Sequence, residues 1–222
     1  MRLEGWASGR QSAAMLIKTL AALLGVFTLS AFAADEDARI RAEGEKRGKP
    51  PEGWPRMEWP VLKEVLFGHY GPTEKEKSFV MEALPREGQV MPKKKRKLLV
   101  FYRCQYPHVS IATGTLAFDE MGRASGAYEA VLSDDPAIFT KEGLKSFDAV
   151  LLNNTTSWDK TLGETGRQAL VDYVKEGGGL VGIHAASDAC KGFREGAEMI
   201  GGVFRCHPWL PKTDWAFKLE QP

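Results

Sequence analysis

Cysteine is scarce in this chain and never falls in a C-x-x-C pair: the three present are Cys104, Cys190 and Cys206. Cysteine-rich zinc binding is therefore not expected. The odd number allows one disulfide with a leftover thiol, or three buried cysteines acting as small apolar residues. An excess of charge is also missing, since 30 lysines and arginines face 29 carboxylates for a formal net charge of +1. Nucleic acid or an anionic membrane surface would call for a clearly basic face, so neither is an expected partner. No internal repeat is visible. With 222 residues and 43% apolar content, the chain has the composition of one soluble domain with extensions.

What is there begins with a targeting segment. Met15-Leu16-Ile17-Lys18 is followed by the uncharged run Thr19 to Ala34, which ends in the A-x-A cleavage pattern Ala31-Phe32-Ala33 before Asp35 and Glu36. The run is short for a membrane span, which needs ~20 apolar residues. It reads as a signal peptide over residues 1–33 with its start at Met15, and hence as export to the periplasm or cell exterior with no integral span after cleavage. Residues 34–97 form a second region, rich in proline and charge and closed by the basic run Lys93 to Lys97. Its composition argues against an independent core. Short helices are expected near Val61 to Phe67 and Thr73 to Leu84, with Pro72 and Thr73 as a helix start.

From Leu98 to the end the rhythm is strand, helix, strand. Leu98 to Tyr102, Tyr128 to Leu132, Asp148 to Leu152 and Leu180 to Ile183 are apolar runs of strand length. Val109 to Met121 and Thr165 to Lys175 carry helical spacing, and the glycine run Gly177-Gly178-Gly179 stops the second of these. The alternation predicts an α/β fold with a parallel sheet covered by helices on both faces. In such a sheet the strand C-termini share one edge. There lie Arg103, Gln105 and His108; Ser133, Asp134 and Asp135; Asn153, Asn154 and Thr155; and His184, Ser187 and Asp188. They predict a polar cleft, with His207 of His207-Pro208-Trp209 as a further candidate.

Each of these residues has a plainer alternative. His184 could only satisfy nearby backbone groups, His108 could cap the helix starting near Val109, and His207 with Trp209 could be a packed turn. Asp188 reads as a helix N-cap as readily as a ligand. Asp134 and Asp135, ahead of Pro136, read as turn residues. Asn153 and Asn154 suit either sugar hydroxyls or turns, and His69 has no role.

The blocks Tyr106-Pro107-His108-Val109-Ser110-Ile111, Leu151-Leu152-Asn153-Asn154-Thr155-Thr156 and Tyr173 to Asp188, with Ile200-Gly201-Gly202-Val203-Phe204 leading to His207-Pro208-Trp209, resemble the ThuA-like (trehalose utilisation) family. The resemblance runs from about Lys97 onward. It implies the three-layer flavodoxin-like fold of the class I glutamine amidotransferase-like superfamily. Where amidotransferases carry a nucleophilic cysteine this chain reads Gly182-Ile183-His184-Ala185-Ala186, so amidotransferase chemistry is not expected.

Sugar metabolism is implied instead, on oxidised (3-keto) disaccharides or glycosides. Such chemistry needs a base and a group to polarise the carbonyl. His184 and His108 are the candidate catalytic residues. Asn153, Asn154, Asp188 and Trp209 are candidates for substrate binding. His108, His184 and His207 are candidate ligands for one divalent metal ion, although their spacing matches no short zinc signature. The alternative is a carbohydrate- or partner-binding module without chemistry. Relatives continue for several more strands, so residues 98–222 are expected to form an incomplete domain.

Overall fold

The computed structural model describes residue 42 and residues 46–88, 90 and 92–207. The expected signal segment, its cleavage pattern and Trp209 lie outside the described residues. The chain divides into two compact units, Met1–Lys49 and Pro50–Pro222, and the described strands lie in the second.

Four strands form one parallel sheet: β1 (Lys97–Phe101), β2 (Glu129–Ser133), β3 (Ala149–Asn153) and β4 (Gly179–Ile183), in the order β2-β1-β3-β4. The apolar runs form strands because they are sealed on both faces: Leu99, Val100, Phe101, Val150 and Leu152 are fully buried. Alternate residues point to opposite faces. Leu99, Phe101, Val150 and Leu152 join Phe139, Trp158 and Leu170 in one core, while Leu98, Val100 and Leu151 meet Phe118 and Tyr128 in another. The two edge strands are less covered, leaving Leu132 and Val181 exposed. The sheet is the parallel α/β arrangement that the strand–helix rhythm predicted, and it agrees with the three-layer flavodoxin-like fold that the family resemblance implied.

Helix α1 (Trp59–Glu64), continued by a π turn over Val65–His69, and α2 (Glu74–Ala83) lie ahead of the sheet. Thr73 and Glu76 form a reciprocal capping box at the start of α2, satisfying backbone donors that a bare helix end leaves open. Trp59, Leu62 and Leu66 share a core with Tyr102 and Cys104 after β1 and with Ile111.

Helix α3 (Ser110–Ser125) follows β1. The short helix α4 (Lys141–Leu144) follows β2, and α5 (Trp158–Thr161) and α6 (Gly163–Lys175) connect β3 to β4. After β4 come a 3-10 turn over His184–Cys190 and α7 (Arg194–Ile200). At the glycine stop after α6, Gly177 sits at φ 98°. The N–H of Gly178 bonds the Tyr173 carbonyl at 2.9 Å and that of Gly177 bonds Val174 at 3.0 Å, the paired bonds of a Schellman cap.

Three expectations change. Cys104 and Cys190 are buried free thiols, but Cys206 is exposed, because it lies past the last described helix. Asp188 caps no helix; it lies inside the 3-10 turn and pairs with Lys191 at 2.6 Å. Asp134 is more than a turn residue, since it accepts hydrogen bonds from Trp59 and Lys63 of α1. Among the described residues, no helix is long and apolar enough to cross a membrane.

Candidate functional site

The sheet order places β1 and β3 side by side while their chain connections leave in opposite directions, to β2 on one flank and β4 on the other. Loops diverging from such a switch point open a crevice at the strand C-termini. Into this edge the structure brings His108 from the β1 loop, Asn153 and Asn154 from β3, and His184 from β4. The rings of His108 and His184 lie edge to face with centroids 4.7 Å apart.

Backbone strain collects at the same edge. The described non-glycine residues with positive φ are Asn154 (58°), Ser157 (48°) and His184 (49°). Each directly follows or lies near the end of β3 or β4. A side-chain-bearing residue in that conformation costs about 1–3 kcal/mol, and such strain is tolerated where surrounding structure enforces it. At His184 the enforcement is a sharp turn from β4 into the 3-10 segment. A Cβ on Gly182 would lie 2.8 Å from Ile200 Cδ1 and 3.2 Å from the Ala186 methyl, so glycine two residues before His184 lets the turn close against α7. His184 is thereby held at the tip of a strand-to-helix elbow, and it is exposed there.

Hydrogen bonds fix the neighbouring loops. Thr156 Oγ1 accepts from the backbone N–H groups of Gln105 (3.0 Å) and Tyr106 (2.9 Å), tying the β1 loop to the β3 loop. His184 Nδ1 lies 2.8 Å from Asn154 Oδ1. Asn154 Nδ2 donates to Asn153 Oδ1 at 3.0 Å, and Asn153 Nδ2 donates to the Ile111 carbonyl at 3.0 Å. Both asparagines are buried, with only 1% and 2% of their surface exposed, so their amides serve this chain of bonds.

His108 is half-buried. Burial, then the nearby His184 and more weakly His207, lower its pKa from the ordinary 6.5 and keep it neutral; the Tyr106 backbone and Asp188 act the other way and are outweighed. Its Nδ1 is buried without a well-formed hydrogen bond. The Tyr106 ring, 64% exposed, stands 5.5 Å from the His108 ring. His207 is exposed and packs on Phe204 at 4.8 Å. His69 stacks edge-on against Tyr70 in the segment after α1.

As donors for a cation, two imidazoles meet closely, but among the described residues no group of three or more His, Cys, Asp or Glu side chains is disposed to hold a metal ion. The described residues therefore fall short of a closed metal site.

Sequence reasoning placed Asp134 at this edge as a turn residue but missed its role as an anchor. It accepts from Trp59 Nε1 at 2.7 Å, Lys63 Nζ at 3.0 Å and the Tyr102 hydroxyl at 3.2 Å. Burial alone would raise its pKa, but the Trp59 and Lys63 hydrogen bonds and the Lys63 charge hold the carboxyl below its ordinary value. The β2 side of the edge is thus closed by α1. The adjoining cleft of about 460 Å³ is lined by Trp59, Lys63, Arg103 and Asp134.

A parallel sheet of this order, with helices around it, defines a flavodoxin-like α/β protein, and the strained elbow at its C-terminal edge marks the candidate site. Within that class the chain belongs to the ThuA family, described as trehalose utilisation, whose pattern matches residues 97–221. Membership associates it with carbohydrate-related function in general. A crystal structure of a ThuA-like protein from Bacteroides uniformis ATCC 8492 is similar at 25% identity and a TM-score of 0.42, covering 56% of this chain and 52% of that one. The chain thus matches about half the length of that protein. No curated protein sequence matches it.

Proposed function

We propose that this chain is an exported sugar-active protein that works on oxidised (3-keto) disaccharides or glycosides by histidine acid/base chemistry, and that it is not an amidotransferase. The observation that carries the reading is the His108–His184 pair, two imidazoles in edge-to-face contact at the switch-point edge with His184 on a strained elbow. A carbonyl in the sugar ring acidifies the neighbouring C–H. A neutral imidazole can take that proton, the C–H electron pair moving into the enolate, while the second imidazole hydrogen-bonds the carbonyl oxygen where negative charge develops. The depressed pKa of His108 favours the neutral ring that either role uses.

The elbow that would present a cysteine thiolate in an amidotransferase presents an imidazole here, and the two described buried cysteines are driven toward the protonated thiol. Burial raises Cys104 to about 12 and Cys190 to about 11, the reverse of an activated nucleophile. Export is supported by the uncharged run Thr19 to Ala34 and its A-x-A pattern. A mature protein beginning at Ala34, read by mass spectrometry, is the expected result. An intact Met1 would contradict it.

The test of the chemistry is turnover of a 3-keto glucoside by the purified chain beside His184→Ala. Consumption by the wild type, lost in the variant, is expected; no consumption by the wild type would defeat the catalytic reading. One observation favours a second reading, a binding module without chemistry: the exposed Tyr106 ring beside His108 offers a face on which a sugar can stack. Sugar binding that survives His184→Ala but not Tyr106→Ala would select it.

A further inference from the structure

We infer that Asn154 is a positioning residue that holds His184 as the Nδ1–H tautomer, through a directed chain of hydrogen bonds that begins at the Ile111 carbonyl. The inference rests on the proposal that His184 acts through its other nitrogen. Its evidence is separate, because the bond directions follow from which atoms can donate at all.

The Ile111 carbonyl oxygen can only accept. Thr115 Oγ1 donates its one proton to that oxygen at 2.8 Å. The Asn153 amide faces both atoms, at 3.0 Å from the carbonyl and 3.1 Å from the hydroxyl. Neither has a proton to give it, so the face turned to them must be NH2. The Asn153 Oδ1 is then turned to Asn154, whose NH2 meets it at 3.0 Å. That leaves Asn154 Oδ1 as the atom 2.8 Å from His184 Nδ1. An amide oxygen cannot donate, so Nδ1 must carry the proton, and the lone pair belongs to Nε2 on the far side of the ring. No link in this chain can be reversed alone without setting two acceptors or two donors face to face.

The chain is insulated. Thr115, Asn153 and Asn154 are 3%, 1% and 2% exposed, so water does not compete to reorient the amides. Its space is set aside by Gly114 in α3, where an added Cβ would lie 3.2 Å from both amide atoms of Asn153. A glycine inside a helix costs about 1 kcal/mol relative to alanine, and here it lets a buried amide reach the helix carbonyl. Asn154 also holds its φ of 58°, a conformation asparagine tolerates better than most residues.

The experiment is 15N NMR of the full chain labelled at the histidine ring nitrogens, near pH 8, where an ordinary imidazole is neutral; the His184 signals are assigned by their loss in His184→Gln. A protonated-type Nδ1 shift and an unprotonated-type Nε2 shift are expected in the wild type. Asn154→Gly, which suits the backbone and removes the acceptor, should lose the single tautomer. It should also lower kcat on a keto sugar by about 10–100-fold with KM little changed. Asn154→Asp, whose carboxylate accepts from Nδ1–H, should keep the proton on Nδ1, although its second oxygen meets Asn153 Oδ1 acceptor to acceptor and so costs stability.

A wild-type ring protonated at Nε2, or mixed, overturns the inference, as does a tautomer unaltered in Asn154→Gly. If Asn154→Gly does not fold, the wild-type and Asn154→Asp spectra decide. The predicted tautomer in a protein with no turnover would leave this inference standing and fail the catalytic reading alone.

Discussion

The two ends of the sheet are built on opposite principles. At the N-terminal end lies the larger hollow, about 790 Å³, lined by Lys94, Arg96, Lys141, Asp148, Asp172 and Glu176 among others. Its charges are largely neutralised: Asp148 pairs with Lys94 at 2.9 Å and Arg96 at 2.7 Å, and Lys141 pairs with Glu176 at 3.2 Å. Lys94 first, then the Lys97 N–H and Arg96, hold the Asp148 carboxyl well below its ordinary range. The turn there relies on Gly177 for its positive φ. At the C-terminal end the cleft beside Asp134 is smaller, about 460 Å³, yet side-chain-bearing residues occupy strained conformations and two imidazoles meet. Size marks where the fold leaves a gap; strain and unmet hydrogen-bonding capacity mark where it is prepared to act.

The largest expected effect separates the ends by activity. His184→Ala should lower turnover on a keto sugar by about 10²–10⁴-fold, the usual share of general acid/base catalysis, and Lys141→Ala should leave it unchanged. Equal losses in kcat/KM would erase the distinction.

Next comes the seal that α1 places over the C-terminal edge. Leu66, in the π turn that continues α1, is fully buried, whereas Val61 in α1 is 53% exposed. In urea unfolding, Leu66→Ala should cost about 2–5 kcal/mol and Val61→Ala about 0.5 or less. A small Leu66 effect would mean that the π turn continuing α1 is not part of this core.

Strain gives a smaller difference of unusual sign. His184→Gly should be more stable than His184→Ala by about 1 kcal/mol, because only glycine adopts a positive φ without penalty. The opposite order would remove the strain argument.

Acid dependence is smaller again. The folded pKa of His108 lies below its unfolded value of 6.5, so below 6.5 the unfolded chain binds the proton more readily. The contribution of this ring is complete above that pH and is lost as pH falls through it toward the folded value. Stability of the wild type should therefore decline more steeply on acidification than that of His108→Gln; parallel curves would contradict it. The smallest effect is expected at Asp148→Asn, a modest loss of stability that about 1 M salt largely removes, since the carboxyl is open to solvent screening.

Much of the fold was legible because its signals are local. The inner strands β1 and β3 are sealed on both faces and largely apolar, the edge strands keep apolar runs of strand length, and each strand lies within a residue of its expected place. The Gly177-Gly178 stop marks the end of α6 by backbone chemistry alone. His108 and His184 could be placed at one edge because topology follows from the strand–helix rhythm. The relay from Ile111 to His184 was not legible, since Asn153-Asn154 reads equally as a turn and its bonds cross 42 and 30 residues of sequence. One signal could have exposed it: Gly114 inside a helical pattern is costly unless something needs the space. The Asp134 anchor was missed for the same reason, because its Trp59 partner is 75 residues away.

The most direct test of the central claim is NMR mapping of backbone amide shifts in the full chain as a 3-keto disaccharide is added. Perturbations gathered at residues 103–108, 153–157 and 184–188 are the predicted result. Perturbations gathered instead at residues 140–148 and 172–178 would place the ligand in the larger hollow and contradict the account.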